Sequence, residues 1–235
     1  MALVLDAAED GAVDHAVEVV TGGGLIVAPV GGVYALIGDA FVGQVTALLR
    51  ALRGAAVDLP LTLLVRSHKQ LPGLASQVPE AAEELVAGFW PGPLTLLLPV
   101  AESIAVDLGA SDGTVAVRQP ADEATLAVVG GVGPLACSSA APVAEPLPAT
   151  IAEAVDAFGE SVGAYLDAGE LDGARSTVVD CSRGGAEVRR RGAISADEVL
   201  DAVSGLDGTG SGEPSAAPQA PAGPGGNADG SERID

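Results

Sequence analysis

The sequence predicts an α/β domain with helices packed on a sheet. Three observations lead there. Short apolar runs alternate with amphipathic stretches of helical period along most of the chain. Two of those stretches begin with capping-box spacings, and 48% of the 235 residues are apolar. Alternation of this kind is how an α/β domain reads. A chain this long and this apolar can also bury a core, which a disordered chain cannot.

The elements follow in order. A helical pattern covers 12–21 and stops at Gly22, Gly23 and Gly24, a C-cap and turn leading into an apolar strand at 25–28. A helix fits 41–53 and a buried strand 61–65. Pro79 followed by Glu80 suits the first turn of a helix over 79–88, and strands follow at 94–98 and 114–117. The pattern of 121–129 is helical, that of 135–137 extended. Thr150 with Glu153 opens a helix over 150–158, and Ser195 with Glu198 opens one over 195–204, each a hydroxyl residue with Glu three places on. Between them lie strands at 164–166 and 177–179. From Gly208 the chain turns to Gly, Pro, Ala and Ser, and Ile234 is its one large apolar residue. Such a composition cannot offset chain entropy by burial. Residues 1–206 are therefore expected to form the domain and 207–235 a disordered acidic tail.

Charge narrows the function. There are 11 Lys and Arg against 32 Asp and Glu, a formal net charge of −21. From Gly208 onward the chain holds four acids and one arginine, a net of −3, so −18 stays on the residues before it. That balance argues against a generic polyanion binder, double-stranded RNA included, because phosphate contacts need clustered cations. Lys69 is the sole lysine, so arginine must supply nearly all the positive charge of any nucleotide site. Cys137 and Cys181 have no CxxC spacing and read as reduced core thiols. The start, MALVLDAAED, lacks a basic n-region, and the longest uncharged apolar stretch, 93–101, is far short of a membrane span. A cytoplasmic protein is expected.

Several common sites are excluded. Gly22, Gly23 and Gly24 precede a strand, whereas a dinucleotide fingerprint needs glycines after one. GxxxxGK[ST] does not occur. His15, on a helix face, and His68, in a loop, lack partners at metal spacing, and Asp6, Glu9, Asp10 and Asp14 read as a solvated acidic face, so no metal site is expected. Three stretches stand out instead. FWPGPLT (89–95) sets the single tryptophan beside two prolines before a strand and reads as a rigid packed turn. Arg118 closes the strand 114–117, and the carboxyl ends of strands are where α/β sheets hold ligands. Ser176 and Thr177 open a strand with two hydroxyls.

In this order, GGLIVAPVGGVYALIGDA, AGFWPGPLTLLL, GTVAVRQP, PLACSSAAP, AYLDAGELDGARSTVVD and VRRRGAIS resemble the threonylcarbamoyl-AMP synthase (YrdC-like) family over about 22–194. The resemblance implies a single domain with a twisted, mainly mixed sheet and an open ligand cleft. It also implies a nucleotidyltransferase that turns threonine, bicarbonate and ATP, with magnesium, into threonylcarbamoyl-AMP and pyrophosphate. A partner transferase then passes the threonylcarbamoyl group to tRNA. Such chemistry needs positioning and cations, so no catalytic nucleophile is expected. By resemblance, Thr114, Arg118 and Ser176 fall where the family binds its substrate, with Arg118 on the threonine carboxylate. Arg53, Ser139 and Arg190 fall where it binds the nucleotide. The family's P-T-D-T-V-Y-G-L stands here as Pro29-Val30-Gly31-Gly32-Val33-Tyr34-Ala35-Leu36, its K-x-R as Arg53-Gly54-Ala55, and the asparagine of its S-x-N as Ala141. Arg175, Arg189 and Arg191 are candidates to replace the missing charge. The alternative is an impaired relative that binds a nucleotide or adenylate and regulates.

Overall fold

A computed structural model describes residues 2–54, 60–104, 106, 107, 109 and 111–205. The proposed tail and Ala55 lie outside the described residues. The chain order is β1 (Val4–Asp6), α1 (Ala12–Thr21), β2 (Ile26–Val30), β3 (Val33–Asp39), α2 (Gly43–Leu52), β4 (Thr62–Leu64), α3 (Leu71–Leu74), α4 (Glu80–Phe89), β5 (Leu94–Pro99), β6 (Thr114–Arg118), α5 (Glu123–Val132), β7 (Leu135–Ser139), α6 (Ile151–Phe158), β8 (Ala164–Asp167), β9 (Thr177–Asp180), β10 (Glu187–Arg190) and α7 (Ala196–Val203). The described strands form one mixed sheet in the order β1-β8-β2-β3-β7-β4-β6-β5-β9-β10.

Every helix expected from periodicity forms, with ends shifted by up to three residues. Pro79 precedes its helix as the N-cap rather than sitting in the first turn. Ser195 and Glu198 make the full capping box. Thr150 accepts from Glu153 N–H, but the Glu153 carboxylate takes the N–H of Ala149 instead of Thr150, so only half of that box forms. His68 lies in a 3-10 turn, His68–Gln70, not in a loop.

Three strands are additions to the expected set. β3 pairs with β2 through the two-residue turn Gly31-Gly32, with Val30 opposite Val33. Gly31 adopts φ +68°, which a two-residue hairpin needs and glycine supplies. β1 has three residues, and β10 (Glu187–Arg190) is an edge strand rich in charge. Edge strands need no apolar alternation.

Side chains alternate across the sheet, and two cores result. One face carries Val27, Leu36, Leu63, Leu96 and Val117, covered by Leu49 of α2, Leu85 of α4, Ile151 of α6 and Val199 of α7. The other carries Ile26, Ala28, Val30, Ala35, Ile37 and Cys137, covered by Ala16 and Val20 of α1 and Val128 and Val129 of α5. That second core stops partway across the sheet. Val30, Ala35 and Cys137 belong to it and also to the wall of a cleft, so the cleft begins where the helical cover ends. No helix of the described residues is long and apolar enough to cross a membrane.

Candidate functional site

The cleft has a volume of about 200 Å³, and four arginines reach it: Arg53, Arg118, Arg175 and Arg190. Four of the chain's ten arginines thus meet in one small space, while no Asp or Glu is among its described wall residues. A molecule with net charge −21 has concentrated positive charge here.

Each arginine is placed by a different element. Arg118 closes β6 and is 4% exposed. Its Nε donates to Gly92 O at 3.0 Å, and its Nη1 to Val30 O at 3.4 Å. The packed turn 90–93 therefore has a function in the cleft: Gly92 N–H also donates to Gln119 O, and Thr177 N–H to Pro93 O, so one turn fixes both the end of β6 and the start of β9. Arg53 is the C-cap of α2 and donates from Nη1 to Ser139 O at 2.7 Å. Its Nε is buried with no hydrogen-bond partner among the described residues. Arg190, at the end of β10, donates from Nη2 to Ser176 O and Oγ, both at 3.0 Å. Ser176, 6% exposed, also shares a hydrogen bond of 2.9 Å with Thr95 Oγ1. Arg175 reaches Ser139 Oγ at 3.3 Å.

Electrostatics follow from this crowding. Burial lowers the pKa of Arg53, Arg118 and Arg190. The charge of Arg175 lowers those of Arg53 and Arg190 further. A guanidinium cannot relieve this by losing its proton, so the relief available is a bound anion. Cys137 in the wall is pushed up to about 12 by burial, against the opposing pull of Arg118. It is a neutral thiol at pH 7 and no nucleophile. With no carboxylate among the described wall residues, the donor set does not suit a magnesium ion, which takes hard oxygen ligands. Magnesium entering with a nucleotide would be held by the phosphates. What the site can do is grip a compact, multiply charged anion between fixed guanidinium and hydroxyl donors.

Of the residues expected from sequence, the structure brings together Arg53, Arg118, Ser139, Ser176 and Arg190. Thr114 is not with them. It starts β6, four residues before Arg118, donates to Ser111 O at 2.6 Å and lines a separate cavity with Asp180 and Arg183. Four strand residues span about 13 Å, too far for one small ligand group to touch both. Of the candidate replacements, Arg175 enters the cleft, Arg189 pairs with Glu187 at 2.9 Å, and Arg191 is outside the described wall. Thr62, Thr95, Ser138 and Val33 also line the cleft and carried no signal as single residues. Thr95 had one available clue, its place at the end of FWPGPLT.

Comparison with known proteins matches residues 18–192 to the Sua5/YciO/YrdC family model, described as telomere recombination. A Mycobacterium tuberculosis protein provisionally named threonylcarbamoyl-AMP synthase is 36% identical over 193 residues, 82% of this chain and 88% of that protein. The crystal structure of Pyrococcus abyssi Sua5 complexed with L-threonine is similar with a TM-score of 0.80 at 30% identity, over 86% of this chain. This chain spans only 61% of the length of that Sua5 chain. Escherichia coli YciO shares the fold, with a TM-score of 0.75 over 85% of this chain and 98% of that chain at 23% identity.

Proposed function

The chain belongs to the Sua5/YciO/YrdC family, and from that membership we propose that it is a threonylcarbamoyl-AMP synthase, a nucleotidyltransferase acting on threonine, bicarbonate and ATP. The observation that carries this reading is the convergence of Arg53, Arg118, Ser139, Ser176 and Arg190 on one cleft with no carboxylate among its described wall residues. A regulatory relative without turnover would rest on the altered hairpin motif, the cation lost at Ala55 and the asparagine replaced by Ala141.

The chemistry asks for little covalent help. The threonine amine condenses with bicarbonate to a carbamate, releasing water. A carbamate oxygen then attacks the α-phosphorus of ATP, the bond to the bridging oxygen breaks, and pyrophosphate leaves. Arg118 takes the threonine carboxylate, because its guanidinium is buried and its direction is fixed by two carbonyls. A bidentate carboxylate pair suits such a rigid fork. Arg53 and Arg190 take phosphate oxygens and stabilise the charge that shifts to the leaving pyrophosphate. Ser139 and Ser176 supply hydroxyl donors between them. The product passes to a transferase that modifies tRNA, in the cytoplasm. Residues 1–206, which include the 18–192 matched to the family model, carry the activity.

Pyrophosphate release tests the reading. With ATP, threonine and bicarbonate present the protein releases pyrophosphate, and omitting any one of the three stops it. Threonine-independent release, or none, rejects the proposal.

A further inference from the structure

We propose that Arg175 is a phosphate-binding cation of this cleft, gripping the β- and γ-phosphates of a nucleoside triphosphate, and that glycine at position 32 is what lets the segment carrying it close on the site. The proposal rests on the nucleotide reading above and goes beyond it by naming a residue and the device that delivers it.

The segment 168–175 leaves β8 and crosses the tip of the β2-β3 hairpin. It is pinned along its length. Tyr34 Oη donates to Gly169 O at 2.7 Å and accepts from Ala168 N–H at 3.0 Å. Leu171 N–H donates to Ala149 O, and Gly173 N–H to Gly32 O, both at 2.8 Å. Ala174 N–H donates to the Asp172 carboxylate at 2.8 Å. At Gly32 the two strips of chain touch with no room between them. A methyl group there would lie 2.6 Å from Ala174 N and would also strike the Asp172 carboxylate. Any side chain at position 32 would push this segment off the hairpin. The same glycine that leaves the hairpin tip bare therefore makes the seat for the segment, and Arg175 is carried at its end.

Arg175 then points where charge is needed. It lines the cavity beside Arg53 and reaches Ser139 Oγ, while the Ser139 carbonyl holds Arg53. Arg53, Arg118 and Arg190 are each tied to a backbone carbonyl, whereas Arg175 bonds the neutral hydroxyl of Ser139. Four guanidinium groups line about 200 Å³ with no carboxylate among the described wall residues, and Asp122, outside that wall, offsets only Arg118, so the arrangement is unfavourable until anions arrive. One amino-acid carboxylate neutralises one of them. The remaining charge calls for a ligand with several anionic oxygens close together, and a polyphosphate has that form. Arg189 and Arg191 cannot serve in its place, the first being paired with Glu187 and the second outside the described wall.

Calorimetric titration of the full-length protein with ATP, inorganic pyrophosphate and L-threonine separates the possibilities. One charge-assisted contact corresponds to at least about tenfold in affinity. Arg175→Ala should therefore weaken ATP and pyrophosphate about tenfold or more and leave L-threonine unchanged, with Arg175→Lys recovering part of the loss. Gly32→Thr should reproduce the same phosphate-selective loss, and Arg191→Ala should change nothing. Wild-type ATP affinity in Arg175→Ala overturns the proposal, as does an equal loss of threonine binding, which would mean general damage to the cleft. A wild-type protein that binds ATP through Arg175 yet releases no pyrophosphate rejects the synthase reading and leaves this inference standing. A wild-type protein that binds no ATP rejects both.

Discussion

At the scale of single residues, arginine does most of the work, and its scarcity made it legible. With one lysine in the chain, Arg118 stood out as the close of a strand, and Arg53 and Arg190 by resemblance to the family's K-x-R and late arginine; the three do meet. Thr114 shows the limit of such reasoning. It lies on the same face of β6 as Arg118, but four residues of extended chain separate the two. Arg50 gave no signal at all. It is 3% exposed in α2 and holds Asp107 through Nη1 to Oδ2 at 2.7 Å and Nη2 to the backbone carbonyl at 2.9 Å. The hydrogen bond from Arg50 is the largest cause of the lowered pKa of Asp107. A carboxylate with a depressed folded pKa contributes stability above its unfolded value, about 3.9, and that contribution is lost as pH falls through the folded value. The Asp107 side chain is 56% exposed, so solvent screening discounts the pair well below the cost of breaking a buried one. Asp107→Ala should cost about 1–2 kcal/mol at pH 7 by urea denaturation, and the difference from wild type should shrink as pH is lowered towards 3. A difference that stays constant would deny the charge any part in it.

At the scale of elements, helices were more legible than strands. Periodicity and caps are local, so α1 and α5 to α7 lie within three residues of expectation. β3 was missed although its Gly-Gly turn is a hairpin signal, and β10 was missed because a charged edge strand has no apolar pattern to read. The two Ser/Thr-x-x-Glu spacings look alike, yet only Ser195 forms both bonds of the box. Ser195→Ala should lower stability by about 1 kcal/mol, the usual worth of such an N-cap, measured by thermal unfolding. Because α7 packs Val199 into the larger core, the loss should appear in the global transition rather than as fraying. A separate low-temperature phase would contradict that.

At the scale of the whole molecule, the net charge of −21 and the arginine cleft oppose each other. Self-repulsion of a strongly acidic chain destabilises the compact state, and salt screens it over a Debye length that falls from about 30 Å at 0.01 M to about 8 Å at 0.15 M. The midpoint of thermal unfolding should therefore rise with sodium chloride over that range. A fall would mean that local ion pairs such as Arg50 with Asp107, rather than net repulsion, dominate the electrostatics of the fold.

The sequence by itself determined the α/β class and most of the helices, because these depend on local periodicity and caps, and it named candidate arginines through a strand end at Arg118 and motif resemblance at Arg53 and Arg190. Tertiary structure decided which of those residues share a cleft. Arg175 and Ser139 are 36 positions apart and Arg118 and Val30 are 88. Only the sheet order β3-β7-β4-β6-β5-β9-β10 brings them to one place. The opening of the cleft was decided there too, since it exists because α1 and α5 cover only part of one sheet face.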